Sequence, residues 1–272
     1  MRATSRFDRD TRVTASSEGN FEAAIDPGWW ISRGPNGGYL AAILLRAFSA
    51  AVADPERTPR SFTTHFTRAP ARGGVRIETS IERSGRSLTT VSGRMRQGDS
   101  LCAVGLAAFS KTRTGPEFQH RTRPAVPPPE RCERLIAETE TVTIRERYEQ
   151  RGVPGAESEF GVGGWIRLRE GAPADATLVA AFLDAWPPPT LERARSDQRI
   201  PVLGLPTVEL TIHFRSRLPL PDARSEDFYL ALFRSRTARE GFVEEDGEIW
   251  SRDGILIAES RQLAAFLGPH PR

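Results

Sequence analysis

An aspartate stands within one of the most apolar stretches of the sequence. Residues 178–186 read LVAAFLDAW, and Asp184 is the charged residue among them. A carboxylate in such surroundings costs free energy unless it is paired, for example with an arginine, or has a function. An ionised carboxylate can accept a proton from water and make that water nucleophilic. Asp184 is therefore the first candidate for a general base.

A glycine-rich turn stands before the other apolar helical segment. Residues 34–38 read GPNGG. The first N–H groups of a helix lie at the positive end of its dipole, and glycine lets a carbonyl oxygen approach them closely. We expect Asn36, Gly37 and Gly38 to bind a carbonyl oxygen in this way. A plain turn that caps the helix is the structural alternative, and the sequence favours neither over the other.

Motifs for other kinds of chemistry are missing from the sequence. It contains neither a Gly-x-Ser-x-Gly nucleophile motif nor the spacing of a zinc site. Cys102 and Cys132 are spaced neither as metal ligands nor as a disulfide framework, which favours a reducing cytoplasm. We therefore expect no metal site and no resident cofactor.

The elements that must position these residues form two similar series. In the first half, the pattern predicts a short strand at 21–25, a helix at 39–53 and strands at 61–67, 75–83, 87–96 and 101–111. In the second half, it predicts a strand at 159–169, a helix at 174–186 and strands at 207–215, 227–236, 241–250 and 254–266. The same plan is therefore expected twice.

A segment rich in Pro, Arg and Thr separates the two series. Residues 112–130 have the composition of an extended linker. The first twenty residues are charged throughout and lack the apolar core of a secretion signal. We predict a flexible leader over 1–20, an N-terminal domain over 21–111, a linker over 112–150 and a C-terminal domain over 151–272.

Short motifs recur in both halves. The triplet THF at 64–66 matches IHF at 212–214, and GLAAF at 105–109 matches QLAAF at 262–266. An internal duplication is the economical explanation. A helix followed by an antiparallel meander predicts a curved sheet wrapped around a central helix. The expected fold class is therefore α+β, with two such units in tandem.

From residue 21 to residue 267 the chain resembles the TesB-like acyl-CoA thioesterases, by the order of its elements and by short motifs. The resemblance implies a double hotdog fold and hydrolysis of acyl-CoA, with coenzyme A as part of the substrate. In that family an Asp of the second central helix, a Thr on a following strand and a Gln on the last strand hold the catalytic water. The matching positions are Asp184 in FLDAW, Thr207 in TVELTIHF and Gln262 in IAESRQ.

Thioester hydrolysis explains why these residue types would be needed. The reaction requires a nucleophilic water and a stabilised carbonyl oxygen. The Thr207 hydroxyl and the Gln262 amide would orient the water while Asp184 takes its proton. Related hotdog thioesterases place a glycine-bearing helix start opposite the carboxylate of the partner unit. That resemblance gives residues 36–38 the role of polarising the carbonyl.

The duplication offers a test of these assignments that does not depend on the family. A residue that serves the fold should occur in both halves, whereas the three polar candidates occur in the second half alone. The first half has other residues at the corresponding places: Arg46, Gly105 and, near the turn, Pro59. By the same reasoning His65 and His213, which occur in both halves, are predicted to pack or hydrogen-bond between domains and are left out of the site.

Two other functions fit parts of the same pattern. A hydratase or dehydratase acting on enoyl thioesters can share the fold, but it would need a histidine near Asn36, and no Asp-x-Asn-x-x-His motif occurs. A non-catalytic protein that binds acyl-CoA or an acyl chain is the alternative from a different class. Release of free thiol would distinguish this protein from a thioesterase.

Composition excludes several other classes of partner. The net charge is only +3 and arginine is interspersed with acidic residues, so a nucleic-acid partner is not expected. No apolar run has the length that a membrane helix needs, so membrane insertion is not expected either. Long sheet edges in a duplicated fold favour a homo-oligomer.

Overall fold

The computed structural model describes residues 4–31, 34–136, 142–153, 161–191 and 203–268. Its α-helices are α1 (Arg6–Asp10), α2 (Gly37–Val52) and α3 (Ala176–Phe182). The strands are β1 (Thr14–Ser17), β2 (Asn20–Ile25), β3 (Trp30–Ile31), β4 (Gly34–Pro35), β5 (Thr58–Phe66), β6 (Gly73–Ser84), β7 (Leu88–Gln97), β8 (Ser100–Ser110), β9 (Glu133–Arg134), β10 (Tyr148–Gly152), β11 (Val162–Leu168), β12 (Thr207–Phe214), β13 (Tyr229–Arg234), β14 (Ala238–Arg239), β15 (Phe242–Trp250) and β16 (Leu256–Ala265).

Fourteen of these strands form one antiparallel sheet. Its order is β1-β2-β6-β7-β8-β5-β12-β16-β15-β13-β11-β10-β9, with β14 paired to β15, while β3 and β4 pair separately. The run β2-β6-β7-β8-β5 of the first half is matched by β11-β13-β15-β16-β12 of the second. The double hotdog predicted from the sequence is therefore confirmed, with the sheets of the two units joined edge to edge into one.

The junction between the halves is the pair formed by β5 and β12. Thr63 lies opposite Thr211 at the centre of this ladder, and their Oγ1 atoms are 2.9 Å apart. His65 and His213 lie two residues beyond these threonines on their own strands, which agrees with the sequence repeat. Both histidines are exposed and lie in the ladder that joins the two halves, opposite Glu209 and Ser61.

Helix α2 forms the centre of the first unit. Its Ala- and Leu-rich sequence favours a helix and buries residues on every side. The Asn36 side chain caps the helix by accepting from the Tyr39 N–H, and Ala53 ends it in the left-handed conformation. The predicted helix at 39–53 is confirmed, with its start two residues earlier. None of the helices that the structure describes has the length and apolar character that a membrane crossing needs.

The two central helices contact each other and run antiparallel. The start of α2 meets the end of α3, where a Cβ atom on Gly38 would lie 2.8 Å from the Ala181 carbonyl oxygen. Farther along α2, Arg46 approaches Asp175, which caps the start of α3. Glycine at position 38 therefore sets how closely the helices pack where the halves meet.

The second central helix is shorter than the sequence pattern predicted. It was expected over 174–186, but it ends at Phe182, and Asp184 lies in the following turn. Three prolines follow at 187–189, and a proline disfavours helical backbone in the residue before it. Asp184 is consequently at the end of the central helix rather than within it.

The segment expected to be a flexible leader has defined structure from Thr4 onward. Ser5 and Asp8 form a capping box at the start of α1, and Phe7 is buried with its ring 5.3 Å from that of Trp29. Strand β1 follows and pairs with β2. The prediction of a flexible leader does not hold for these residues. The sequence did not reveal α1, because a one-turn helix in a charged segment has no detectable hydrophobic periodicity.

The expected linker lies over the outer face of the second half of the sheet. Trp165 donates to the Pro127 carbonyl at 2.8 Å, and Gln119 hydrogen-bonds to the backbone of Gly254 and Leu256. The later part of the predicted linker range, 112–150, contains β9 and the start of β10. This part of the chain therefore contributes to the second half of the sheet.

Candidate active site

Asp184 lies where the end of α3 meets the start of α2. Its Oδ2 atom accepts from the Gly38 backbone N–H at 2.8 Å and from the Asn36 side-chain amide at 2.9 Å. The same amide also donates to the Asp184 backbone carbonyl at 2.7 Å. Groups from the first half thus hold a carboxylate that belongs to the second half.

The surroundings of Asp184 move its pKa toward neutrality. Burial raises the pKa of this carboxyl to about 6, while the Gly38 N–H, the Asn36 amide and the nearby Gly37 and Thr207 lower it. The residue is half-buried and keeps some contact with solvent. A carboxylate with such a pKa is ionised at neutral pH and basic enough to accept a proton from water.

The three residues predicted to hold the water come together in the structure. Thr207 begins β12 and Gln262 lies on the neighbouring β16, and the Thr207 hydroxyl donates to Gln262 Oε1 at 3.2 Å. Thr207 also lies close enough to Asp184 to lower the pKa of its carboxyl. The sheet supplies two polar side chains and the turn after α3 supplies the carboxylate.

The three residues expected to bind a carbonyl oxygen instead face Asp184. The Asn36 amide nitrogen donates to Asp184, and its Oδ1 accepts from the Tyr39 N–H. The Gly38 N–H also donates to Asp184. A Cβ atom on Gly37 would lie 2.9 Å from Asp184 Oδ2, which explains why glycine is needed there. The structure therefore gives these groups the task of holding the carboxylate, and the carbonyl-binding role stays a prediction.

A buried glutamate that sequence reasoning missed completes the polar cluster. Glu245 lies directly opposite Gln262 in the β15–β16 pair, and Gln262 Nε2 donates to Glu245 Oε1 at 2.6 Å. Burial and the nearby Asp184 charge raise the pKa of Glu245 well above its usual value. The hairpin pattern could have revealed it, since Glu245 faces the core at the position paired with Gln262.

The pseudo-symmetric place in the first half has different chemistry. Arg46, which the sequence alignment places there, approaches the cap of α3 as Asp184 approaches the cap of α2, and its Nη2 lies 2.6 Å from Asp8 Oδ1. Its Nε donates to the Thr11 hydroxyl at 2.7 Å. An arginine tied to α1 cannot accept a proton from water, so this position differs in chemistry from Asp184.

The structure corrects one register of the internal alignment. Leu210 on β12 pairs with Gln262, and the equivalent residue of β5, Phe62, pairs with Ala107 rather than with Gly105. The shift of two residues preserves the face of the strand. The residue corresponding to Gln262 is thus Ala107, which is also apolar, and the asymmetry between the halves remains.

Other candidate groups lie outside this cluster. His120 is exposed on the linker, and His270 lies outside the described residues. Cys102 and Cys132 are free thiols in the interior. Within the described ranges, no group of His, Cys, Asp and Glu side chains is arranged to hold a metal ion.

In a comparison with known protein families, both halves match domains of the same family. Residues 26–110 match the profile of the acyl-CoA thioesterase N-terminal domain, and residues 119–266 match that of the acyl-CoA thioesterase C-terminal domain. Among curated proteins no sequence match was found.

Solved structures show the same architecture over nearly the whole chain. A hot dog protein of unknown function from Alicyclobacillus acidocaldarius has a TM-score of 0.86 at 25% identity, covering 98% of this chain and 100% of that one. A proposed thioesterase II from Thermobifida fusca YX has a TM-score of 0.82 at 26% identity, with 98% and 99% covered. The acyl-CoA thioesterase II TesB2 of Mycobacterium marinum is similar in fold, with a TM-score of 0.79 at 18% identity and coverage of 97% and 99%.

Proposed function

Because the chain belongs to the acyl-CoA thioesterase family, we propose that it hydrolyses acyl-CoA thioesters to a free acid and coenzyme A. The observation that carries the proposal is the position of Asp184, a carboxylate with a pKa of about 6 beside Thr207 and Gln262. A base poised near neutrality, with hydroxyl and amide groups next to it, suits the activation of one water molecule.

The reaction would proceed in two steps. Asp184 takes a proton from the water as the water oxygen bonds to the thioester carbon. The product of this step is a tetrahedral intermediate with a negative oxygen. The C–S bond then breaks as the carbonyl re-forms, and the thiolate of coenzyme A leaves and takes the proton from Asp184. Atoms and charges balance with water as the second reactant, so the chemistry itself uses no cofactor beyond the coenzyme A of the substrate.

In the proposed mechanism the two oxygens of Asp184 have different tasks. Oδ2 is held by the first half through Gly38 and Asn36. Oδ1 is then the oxygen left to face the water. The start of α2 keeps Oδ2 in place because its N–H groups and helix dipole favour a negative charge there. Stabilisation of the carbonyl oxygen by the same helix start is part of the proposal.

The proposal is tested by following thiol release from acyl-CoA substrates of short, long, branched and aromatic chain. We expect release with at least one of them, and hydrolysis in H₂¹⁸O should place one ¹⁸O atom in the acid. Binding of the same compounds without thiol release would contradict the proposal and favour an acyl-CoA binding protein. Addition of water to an enoyl-CoA without thiol release would favour a hydratase.

A further inference from the structure

The Gln262 amide is held from two sides. Its Oε1 accepts from Thr207 at 3.2 Å, and its Nε2 donates to Glu245 at 2.6 Å. A primary amide can turn over and exchange its oxygen and nitrogen at little cost in free energy unless its partners favour one orientation. In the structure Nε2 of the Gln262 amide faces Glu245 and its Oε1 faces Thr207, so the amide is held at both ends.

Glu245 is placed where a charged side chain would be costly. It is only 5% exposed, and its Oε2 atom is buried with no hydrogen-bond partner among the described residues. The charged groups that act on it are the carboxylates of Asp184, in the turn after α3, and of Glu244 and Asp246 on its own strand. Three negative neighbours favour a proton on the Glu245 carboxyl. A proton on Oε2, the oxygen without a partner, leaves Oε1 as the acceptor for the Gln262 N–H.

From this geometry we infer that Glu245 is a positioning residue, an uncharged acceptor that fixes the Gln262 amide so that its remaining N–H is aimed at the water on Asp184. The inference rests on the proposed function. The proton on Glu245 has a second effect, because an uncharged side chain leaves the negative charge of Asp184 free of a close repelling partner. Glu245 touches neither water nor substrate in this account and acts through Gln262.

Two substitutions separate the acceptor from the charge. Glu245→Gln keeps an oxygen that can accept from Gln262 and carries no charge, so we expect kcat within about threefold of wild type and an unchanged midpoint of the acid limb of kcat/KM. Glu245→Met is of similar length but removes the acceptor. We expect it to lower kcat by about tenfold or more with little change in KM, which corresponds to the loss of one oriented hydrogen bond.

A matched control and a double-mutant cycle show whether the effect passes through Gln262. Glu22→Met, the same substitution at an exposed position of β2, should leave kcat unchanged. In a Gln262→Ala background, Glu245→Met should lower kcat no further, because the group it positions is gone. A merely structural role would lower kcat by the same factor in both backgrounds, and circular dichroism verifies that each variant is folded.

The outcomes separate this inference from the proposed function. A wild-type protein without thiol release overturns both. An active wild type whose Glu245→Met variant keeps its kcat, or adds its full loss to that of Gln262→Ala, overturns the positioning role alone. A fall of the acid-limb midpoint in Glu245→Gln would show that Glu245 is ionised in the enzyme, and this too contradicts the inference.

Discussion

At the scale of single residues, the site depends on one carboxylate whose charge is balanced by opposing effects. Burial disfavours the ionised form of Asp184, while donors from the first half favour it. The balance leaves the pKa at about 6. Weaker donors would leave Asp184 protonated at neutral pH, and greater exposure would make it a poorer base.

The pH dependence of hydrolysis follows from that pKa. A general base acts when it is ionised, so kcat/KM should rise through pH 6 and level off above pH 7. Below the midpoint it should fall by about tenfold per pH unit. Initial rates of thiol release between pH 4.5 and pH 8.5 measure this profile, and a flat profile down to pH 5 would contradict the role of Asp184.

Asn36 offers a test of what sets the pKa. Asn36→Ala removes a donor to Asp184 Oδ2, and loss of a donor to the ionised form raises the pKa of the carboxyl. We expect the acid limb to move up by about half to one pH unit, so the variant loses more activity at pH 6 than at pH 8. Asn20→Ala, which removes an amide that donates to Ser17 and Glu18 at the start of β2, is the control. An unmoved acid limb in Asn36→Ala would show that Asn36 serves only as a helix cap.

The sequence predicted which residues form the site better than it predicted what each of them contacts. Asp184, Thr207 and Gln262 were identified from their occurrence in one half and from the family resemblance, and they meet in the structure. The role of Asn36 and Gly38 was harder to predict, because which acceptor an N–H group faces depends on the contact between two helices. Glu245 was missed because one buried glutamate in an acidic strand looks like its exposed neighbours.

At the scale of elements, the approach of α2 to α3 positions the site. Gly38 allows it, because any side chain there would meet the backbone of Ala181 and the Asp184 side chain. The prolines after α3 end that helix early and place Asp184 in a turn that faces the start of α2. The sequence pattern predicted both helices, but the position of the end of α3 depends on the effect of prolines on the preceding turn.

Gly38→Ala tests this packing. The added Cβ would lie 2.8 Å from the Ala181 carbonyl oxygen, so the helices must separate. We expect a loss of about 2 kcal/mol in the free energy of unfolding and a fall in kcat of about tenfold or more, because Asp184 loses its donor. Urea denaturation and thiol release measure the two effects. Gly74→Ala, where a Cβ would meet nothing within 4 Å, should change neither.

At the scale of the whole molecule, two similar units share one candidate site. The repeat in sequence predicted the joined sheets and the two central helices. It could not predict that α1 packs beside Arg46, or that the linker covers the outer face of the second half. Both are long-range contacts of segments with no repeat partner and no periodic pattern.

The asymmetry predicts the stoichiometry of binding. Arg46, paired with Asp8, meets the cap of α3 as Asp184 meets the cap of α2, so this place in the first half holds no carboxylate to act as a second base. A non-hydrolysable thioether analogue of acyl-CoA should therefore bind with one molecule per chain in isothermal titration calorimetry. Two equivalent molecules per chain would contradict a single site.

The central claim is that Asp184 is the base for hydrolysis, and one comparison of rates tests it most directly. Asp184→Asn keeps the shape and can still accept from Gly38, but it cannot take a proton. Asp175→Asn, at the opposite end of α3, is the matched control, because asparagine also caps a helix. For the best acyl-CoA substrate at pH 8, we predict that Asp184→Asn lowers kcat by about 100-fold or more, while Asp175→Asn stays within about twofold of wild type. A folded Asp184→Asn variant that retains wild-type kcat would contradict the claim.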